Sequence, residues 1–377
     1  MEKHYTLAQA AELLGVSTQT IRLWDRAGKI NNVRTPGNQR RVPHSEIERL
    51  QSGGELQVGA ASVQPQAAGK QVTDGGSMLL MCKDVAVYDV LREKVLDDRL
   101  VPGAIAKGTL DFRAWMKTRR SGRSNTEARR LMLRAFGSDN HESICDATRT
   151  LSLTDCYWLK KEDESVSFND VTPYLHAEWD GTGVYAGGSL STLYTGGALS
   201  KRWLDSKTLL KKSSQDELEV YMLCESLHLK NVAVAGAFDT GIKLANFTSP
   251  GAFFESMEQS GANMGKENPR EKAIDAFKGV AVVLFVIDYF VENDDRHCGS
   301  YGYMRDSNTG EYMQMAPYFG FDGAWSGGSI VLPESALKMY SELVRGICMR
   351  AKQVTGKFAH GAVILKRADE LLNMLTV

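Results

Sequence analysis

Residues Asn293-Asp294-Asp295-Arg296-His297-Cys298-Gly299-Ser300-Tyr301-Gly302 decide the reading of this chain. They come after nine residues, Gly279 to Ile287, of which only Gly279 is not strongly apolar. A bilayer span takes about twenty residues, so this run predicts a buried helix instead. A second acidic site, Phe319-Gly320-Phe321-Asp322-Gly323, lies farther on. A buried element that delivers two separated carboxylates to a surface is a chassis for metal-dependent chemistry on phosphates. Phosphoryl transfer asks a protein for positioning, a divalent metal and an acceptor base. In a kinase reading Asp295 orients the acceptor hydroxyl and takes its proton. Asp322 is the main Mg²⁺ carboxylate, since that hard cation prefers oxygen. Ser300, five residues after Asp295, stands where a second metal ligand is expected. Arg296 and His297 brace the loop.

Upstream, residues 187–203 read GGSLSTLYTGGALSKRW, a small and hydroxylated loop that includes Gly196 and Gly197. Such loops let backbone N–H groups approach phosphates closely. A strand ending in Lys211 comes next, then a helix over 215–229 with Glu217 and Glu219 in its first turns. A Gly-rich loop, a strand lysine and a helix glutamate, in that order, are the parts of a protein-kinase nucleotide lobe.

Bulk properties narrow the field. The 377 residues suit two or three domains, with 43% hydrophobic and 24% charged residues. A net charge of −1 gives no global pull toward nucleic acid or membrane. Six cysteines without a CxxC pair indicate neither a zinc site nor a disulfide framework, which fits a reducing cytoplasm. The polar N-terminus is not a signal peptide.

Residues 1–50 hold eight Lys/Arg against five Asp/Glu. Thr6 caps a helix with Leu7, Ala10, Ala11 and Leu14 at helical spacing, and Gly15 ends it. Ser17 opens a second helix with Ile21 and Trp24 on one face, which leaves Thr18, Gln19 and Arg22 for base edges and phosphates. Arg34 to Arg41 reads as a β-hairpin wing carrying Arg34, Arg40 and Arg41. The run Tyr5 to Ser17, then Thr20 to Trp24, Arg34-Thr35-Pro36-Gly37 and Arg40-Arg41, resembles the MerR/excisionase group of winged helix-turn-helix DNA-binding domains. Residues 51–76, rich in Gly, Ala, Gln and Ser without an apolar period, read as a flexible linker.

Pattern alone sets further expectations. Met78 to Val87 reads as one strand. The basic stretch Arg113 to Phe136 reads as helices with solvated arginines, favoured over a second nucleic-acid surface. Leu151 to Lys160 reads as a turn and strand, and Asn231 to Phe247 as strands. Residues 269–291 read as one long helix, with further helices over 334–352 and 362–375.

The motifs Asn293-x-Asp295-Arg296-His297-x-x-Ser300-x-Gly302, Ala316-Pro317-x-Phe319 and Phe321-Asp322-Gly323 resemble the HipA-like serine/threonine kinase family. So do Ser152-Leu153-x-Asp155-x-Tyr157-Trp158, Thr195-Gly196-Gly197-Ala198-Leu199-x-Lys201-x-Trp203, Leu210-Lys211 and Glu219. The resemblance covers about residues 78–377. It implies an α+β, two-lobed, protein-kinase-like fold with a mostly helical C-terminal lobe, preceded by the small winged helix-turn-helix unit. The implied division is 1–50, 51–76, a nucleotide-binding lobe at 77–265 and a helical catalytic lobe at 266–377.

The resemblance implies ATP and Mg²⁺ as cofactors. Gly196, Gly197, Lys201, Lys211 and Glu219 would be on the nucleotide side, Asp295 the catalytic base and Asp322 on metal. Family members are toxin kinases paired with a helix-turn-helix antitoxin. Implied partners are DNA, a protein substrate and an antitoxin or regulatory protein, with no membrane. The family usually has Asn where this chain has Ser300. Self-phosphorylation of the Gly-rich loop would fall on Ser189, Ser191, Thr192, Thr195 or Ser200. The alternative is a transcriptional regulator whose degenerate kinase fold only senses nucleotide or binds a partner. A phosphotransferase acting on a small molecule or lipid ranks third.

Overall fold

A computed structural model describes residues 3–14, 30, 33–34, 40–51 and 77–376, apart from 123, 177–188, 198, 214, 240, 263–267 and 329. The second helix of the N-terminal unit, the wing tip and the linker from residue 52 lie outside the described residues.

In the N-terminal unit, β1 (His4–Tyr5), β2 (Val33–Arg34) and β3 (Arg40–Pro43) form an antiparallel sheet in the order β1-β3-β2. Helix α1 (Leu7–Leu14) starts on a reciprocal cap: Gln9 N–H donates to Thr6 Oγ1 at 3.2 Å, and Thr6 N–H donates to Gln9 Oε1 at 3.0 Å. With α2 (His44–Gln51) it closes over Ala10, Ala11, Ile30, Val42 and Ile47.

From residue 77 the chain builds three more sheets. The first is β4 (Met78–Cys82), β5 (Val85–Asp89), β6 (Lys94–Val95) and β7 (Tyr157–Lys161), in the order β6-β5-β4-β7. The single strand expected over Met78 to Val87 is therefore a hairpin. Lys83, at φ 51°, reverses the chain between β4 and β5. Helices α3 (Phe112–Arg119) and α4 (Thr126–Phe136) begin on Asp111 and Asn125, whose side chains accept from Ala114 and Ala128 N–H. Three of their arginines are paired: the exposed Arg129 and Arg130 meet Asp139 and Glu127, whereas Arg119, expected to be solvated, lies buried on Asp155.

The second sheet holds β8 (Lys201–Asp205), β9 (Thr208–Lys211), β10 (Ala235–Phe238) and β11 (Gly241–Ala245), in the order β10-β11-β9-β8, with α5 (Gln215–Ser226) between β9 and β10. The third holds β12 (Ala252–Ser256), β13 (Gly302–Asp306) and β14 (Tyr312–Met315) in sequence order. Strand β12 precedes the apolar helix and pairs with β13 beyond it, so this sheet draws on both of the expected lobes.

The long helix expected over 269–291 is two, α6 (Pro269–Phe277) and α7 (Gly279–Phe290). Lys278, at φ 54° and ψ −135°, leaves helical geometry and breaks the ladder between them. Residues Ala281 to Phe290 of α7 are all buried, as their run of apolar side chains requires. Helices α8 (Glu334–Met339), α9 (Ser341–Val354) and α10 (Gly361–Met374) complete the C-terminal part, with α9 and α10 packed on α7. Among the described residues no helix is long and apolar enough to cross a membrane.

Candidate phosphate-transfer site

Helix α7 ends at Phe290, and Glu292, at φ 53°, turns the chain out of the helix into the loop. Asp288, in the last turn of α7 and 0% exposed, organises that loop. Arg296 donates Nε–H to Asp288 Oδ2 at 2.8 Å and Nη2–H to Oδ1 at 2.9 Å. Asn293 Nδ2–H donates to the same Oδ1 at 2.6 Å. The remaining Arg296 nitrogen reaches the Phe319 carbonyl at 2.6 Å and the Ser300 carbonyl at 3.3 Å. The buried pair thus fixes the loop and ties it to the segment leading into Asp322. Burial alone would lower the pKa of Arg296, but Asp288 outweighs it and the value is raised. The guanidinium also sits 5.0 Å from the Phe321 ring centroid.

Asp295 is left exposed at the loop's crest, packed against the Asp322 turn. A Cβ on Gly323 would stand 2.8 Å from Asp295 Cβ and 2.7 Å from Asn293 Oδ1, so only glycine lets the two segments approach this closely. His297 is exposed, and its Nδ1 accepts from Gly299 N–H at 3.1 Å. The Ser300 hydroxyl donates to the His297 carbonyl at 2.7 Å. Ser300 Cβ and Asp322 Oδ1 flank Gly320, 3.8 and 3.9 Å from where a Cβ would be.

On the opposite side, β9 delivers Lys211 to the same turn. Its ammonium donates to Asp322 Oδ1 and to Glu217 Oε1, both at 2.8 Å. Glu217 also accepts from Phe321 N–H at 3.3 Å and from the Ser213 hydroxyl. Of the two glutamates read in the first turns of this helix, Glu217 is the one that holds Lys211, and Glu219, which the resemblance put on the nucleotide side, lies on another face. Residues two apart on a helix do not share a face. Glu217 lies one turn ahead of Val220 and Tyr221 on the buried face of α5. Glu219 points elsewhere and binds His360: its carboxylate accepts the backbone N–H at 2.9 Å and the ring Nδ1–H at 2.6 Å. Burial works to raise the Asp322 pKa, but Lys211 prevails and holds it below the usual carboxylate range.

Lys201, at the start of β8, is a second cation facing this centre. Burial and then the charge of Lys211 bring its pKa down to about 8, against the pull of Asp322 and Glu217. Gly197, at φ 90°, gives its ammonium room, because a Cβ there would lie 2.6 Å from Lys201 Nζ. Gly196 N–H donates to the Arg119 carbonyl at 3.2 Å and docks the turn on α3.

The segment expected as an open Gly-rich loop is more ordered. Residues Ser189–Tyr194 form a 3₁₀ helix, with Leu193 and Tyr194 in a buried cluster. Ser191, Thr192 and Thr195 are buried, whereas the half-buried Ser200 Oγ lies 3.0 Å from Thr126 Oγ1.

Asp295, Ser300, Lys211, Lys201 and Asp322 thus converge on one turn. Two residues hold them there: Asp288, at the polar end of the apolar helix, to which the sequence gave no role, and Glu217, one of the two helix glutamates it offered. Thr18, Gln19 and Arg22 lie outside the described residues. Arg34 and Arg40 are backbone partners across β2 and β3, and Arg41 comes next, half-buried.

No curated protein matches the sequence. Among solved structures, the chain is similar to the Helicobacter pylori proinflammatory kinase CtkA, at 17% identity and a TM-score of 0.30, over 46% of this chain and 91% of that one. It is also similar to a chain of the Shewanella oneidensis MR-1 toxin–antitoxin complex of HipA, HipB and operator DNA. There the identity is 11% and the TM-score 0.44, over 79% of this chain and 96% of that one. Residues 6–42 match the family described as MerR family regulatory protein.

Proposed function

We propose that this chain is a DNA-binding, HipA-like protein kinase that transfers the γ-phosphoryl of ATP to a serine or threonine hydroxyl. The observation that carries the reading is the Lys211 ammonium bridging Glu217 and Asp322 at 2.8 Å to each, beside the Asp295 loop. A lysine held by a helix carboxylate next to a metal-type aspartate is what a kinase needs to grip phosphates.

The residues present fit a magnesium-bound triphosphate. Two ammonium groups face one carboxylate; burial and then the like charge of Lys211 lower the Lys201 pKa, and an anion between the two would offset that repulsion. Asp322 Oδ1 holds Lys211, and its second oxygen and the Ser300 hydroxyl supply hard donors. Bound there, Mg²⁺ would neutralise charge on the transferring phosphoryl. Lys211 and Lys201 would orient the phosphate chain, and Gly197 would let it approach. Asp295 would align the acceptor hydroxyl and take its proton.

In this reading residues 1–50 bind DNA through Thr18, Gln19, Arg22, Arg34, Arg40 and Arg41, a role that the MerR match over residues 6–42 supports. Residues 51–76 link that unit to the nucleotide-binding part at 77–265 and the helical part at 266–377. The motif resemblance extends the reading to a toxin-like enzyme, acting in the cytoplasm and answering to a regulatory partner.

A second reading, a regulator that only senses nucleotide, rests on Ser300, whose hydroxyl both donates to the His297 carbonyl and accepts from the His297 N–H of its own loop. Labelled ATP with Mg²⁺ separates the two. The wild-type chain is expected to label itself or a protein acceptor. Asp295→Ala is expected to cost about 10²–10⁴-fold in rate, the worth of a general base, and Asp322→Ala to abolish transfer. Equal absence of transfer in all three, with nucleotide still bound, would leave the sensor.

A further inference from the structure

His360, just before the C-terminal helix α10, is bound both to α5, which carries Glu217, and to the segment that follows Asp322. Glu219 on α5 receives two hydrogen bonds from His360, one from the backbone and one from the ring. An ionised carboxylate only accepts, so the ring proton sits on Nδ1. The other side of the imidazole is stacked on Trp325, with centroids 4.1 Å apart and planes at 10°. Trp325 lies three residues beyond Asp322, at φ 63°. It is pinned by Nε1–H to the Asp216 carbonyl at 3.1 Å and by its backbone N–H to the Val291 carbonyl at 2.6 Å. Farther along α10, Arg367 binds Glu292 at the mouth of the catalytic loop at 2.7 Å.

We infer that His360 is a positioning residue for phosphoryl transfer: it clasps the start of α5 to the Asp322–Trp325 segment and so keeps Glu217, Lys211 and Asp322 in register. The inference rests on the kinase reading for its consequence but not for its geometry. Glu217 and Glu219 project from different faces of one helical turn. Whatever holds Glu219 therefore sets the rotation and depth at which Glu217 meets Lys211. Because Trp325 lies just past Asp322, the same imidazole also limits how far the metal-type carboxylate swings away. No other described side chain joins α5 to this segment from the side remote from Lys211 by both a charged hydrogen bond and a ring stack. Loss of the clasp leaves every group that would touch the nucleotide in place chemically and loosens their mutual placement. A misplacement of that kind is expected to act on turnover more than on nucleotide binding.

The test uses the full chain with His360→Ala, His360→Asn and Glu219→Gln, read by backbone hydrogen exchange, by affinity for a non-hydrolysable ATP analogue with Mg²⁺, and by turnover. His360→Ala is expected to speed exchange in residues 215–226 and 320–325 while the β4–β7 sheet keeps its protection. Turnover at saturating ATP should fall by about tenfold or more, the worth of a charged hydrogen bond, with analogue affinity changing much less. His360→Asn, whose amide N–H stands where Nδ1–H does, should restore most of both. Glu219→Gln, which keeps an acceptor, should reproduce the pattern more weakly and serves if the alanine variant does not fold. Exchange in 215–226 unchanged by His360→Ala, or asparagine no better than alanine, overturns the clasp. A wild-type chain that binds the analogue without turnover sinks the kinase reading instead, and the exchange data still decide the clasp.

Discussion

Two cation–carboxylate assemblies flank Asp295, and they are built to opposite ends. Around Arg296 the guanidinium and the Asp288 carboxylate are closed, and only the neighbouring Asn293 Oδ1 is buried without a partner there. The guanidinium takes both oxygens of Asp288 and two carbonyls, and the two side chains are 1% and 0% exposed. Around Lys211 the assembly is left open. One ammonium spans Glu217 and Asp322, Asp322 remains 26% exposed, and Lys201 faces the same centre without an ion-pair partner among the described residues. The choice of cation matches. A planar fork with five donors suits a saturated strut, and a compact ammonium on a flexible stem suits a group that must share itself with a ligand. A closed assembly fixes geometry, whereas an open one stores charge for something still to come.

The largest expected effect breaks the closed side. Asp288→Ala leaves Arg296 buried without its partner, which costs about 3–5 kcal/mol. Chemical denaturation should show it, with phosphoryl transfer lost alongside because the catalytic loop and the Phe319 carbonyl lose their tie. Arg296→Lys, with Asp288 in place, should also destabilise the fold, since one ammonium cannot both make the two-point contact and reach Phe319. A stability change under about 1 kcal/mol, the range of exposed pairs, would mean that the assembly is not the strut described.

The open side should respond differently. Glu217→Gln keeps an acceptor for Lys211 and for Phe321 N–H but removes the charge. Stability should move little, because Lys211 keeps Asp322. Turnover should drop by about ten- to hundredfold, the range of a charge-assisted hydrogen bond. Equal losses of stability in Glu217→Gln and Asp288→Ala would erase the distinction between the two assemblies.

The sequence made much of the site legible and misled in instructive places. Asp295 stood out because it sits in a short polar stretch after strongly apolar residues, Asp322 as a lone acid set among Phe and Gly, and Lys211 because it ends a strand. Glu217 was visible only as one of two candidates. The choice needed the face of α5, which Val220, Tyr221 and Cys224 mark at spacings of three, four and seven residues from Glu217. Asp288 was hidden by its own setting, since an acidic residue at the end of an apolar run reads as the edge of the core. The signal that would have found it is the arginine eight residues on, which a buried carboxylate requires. The break at Lys278 had no proline to announce it, only Gly279 beside it. The β12–β13 pairing joins residues fifty apart across two helices, and no local pattern encodes that. The clasp at His360 was out of reach for the same reason, since it joins positions 219, 325 and 360.

The smallest expected effect sharpens what open means. Lys201 has its pKa lowered from 10.5 to about 8, first by burial and then by Lys211. Below pH 8 the folded chain therefore carries an ammonium it disfavours. Between about 8 and 10.5 the folded form has lost that proton while the unfolded chain still holds it, so this group's contribution to stability rises with pH across that window. Nucleotide affinity should run the other way. A phosphate anion draws on the Lys201 charge, so affinity should weaken as pH climbs through 8, by less than about tenfold for a half-solvated pair. Lys201→Arg holds its charge throughout and should flatten both trends. Titration of analogue affinity from pH 7 to 10, beside denaturation over the same range, reads the two signs together. Slopes of the same sign, or an arginine variant that keeps the wild-type profile, would place the charge that awaits the phosphates somewhere other than Lys201. Opposite slopes that vanish together in the variant would tie the strain in the unliganded site to the affinity of the liganded one, because a single proton accounts for both.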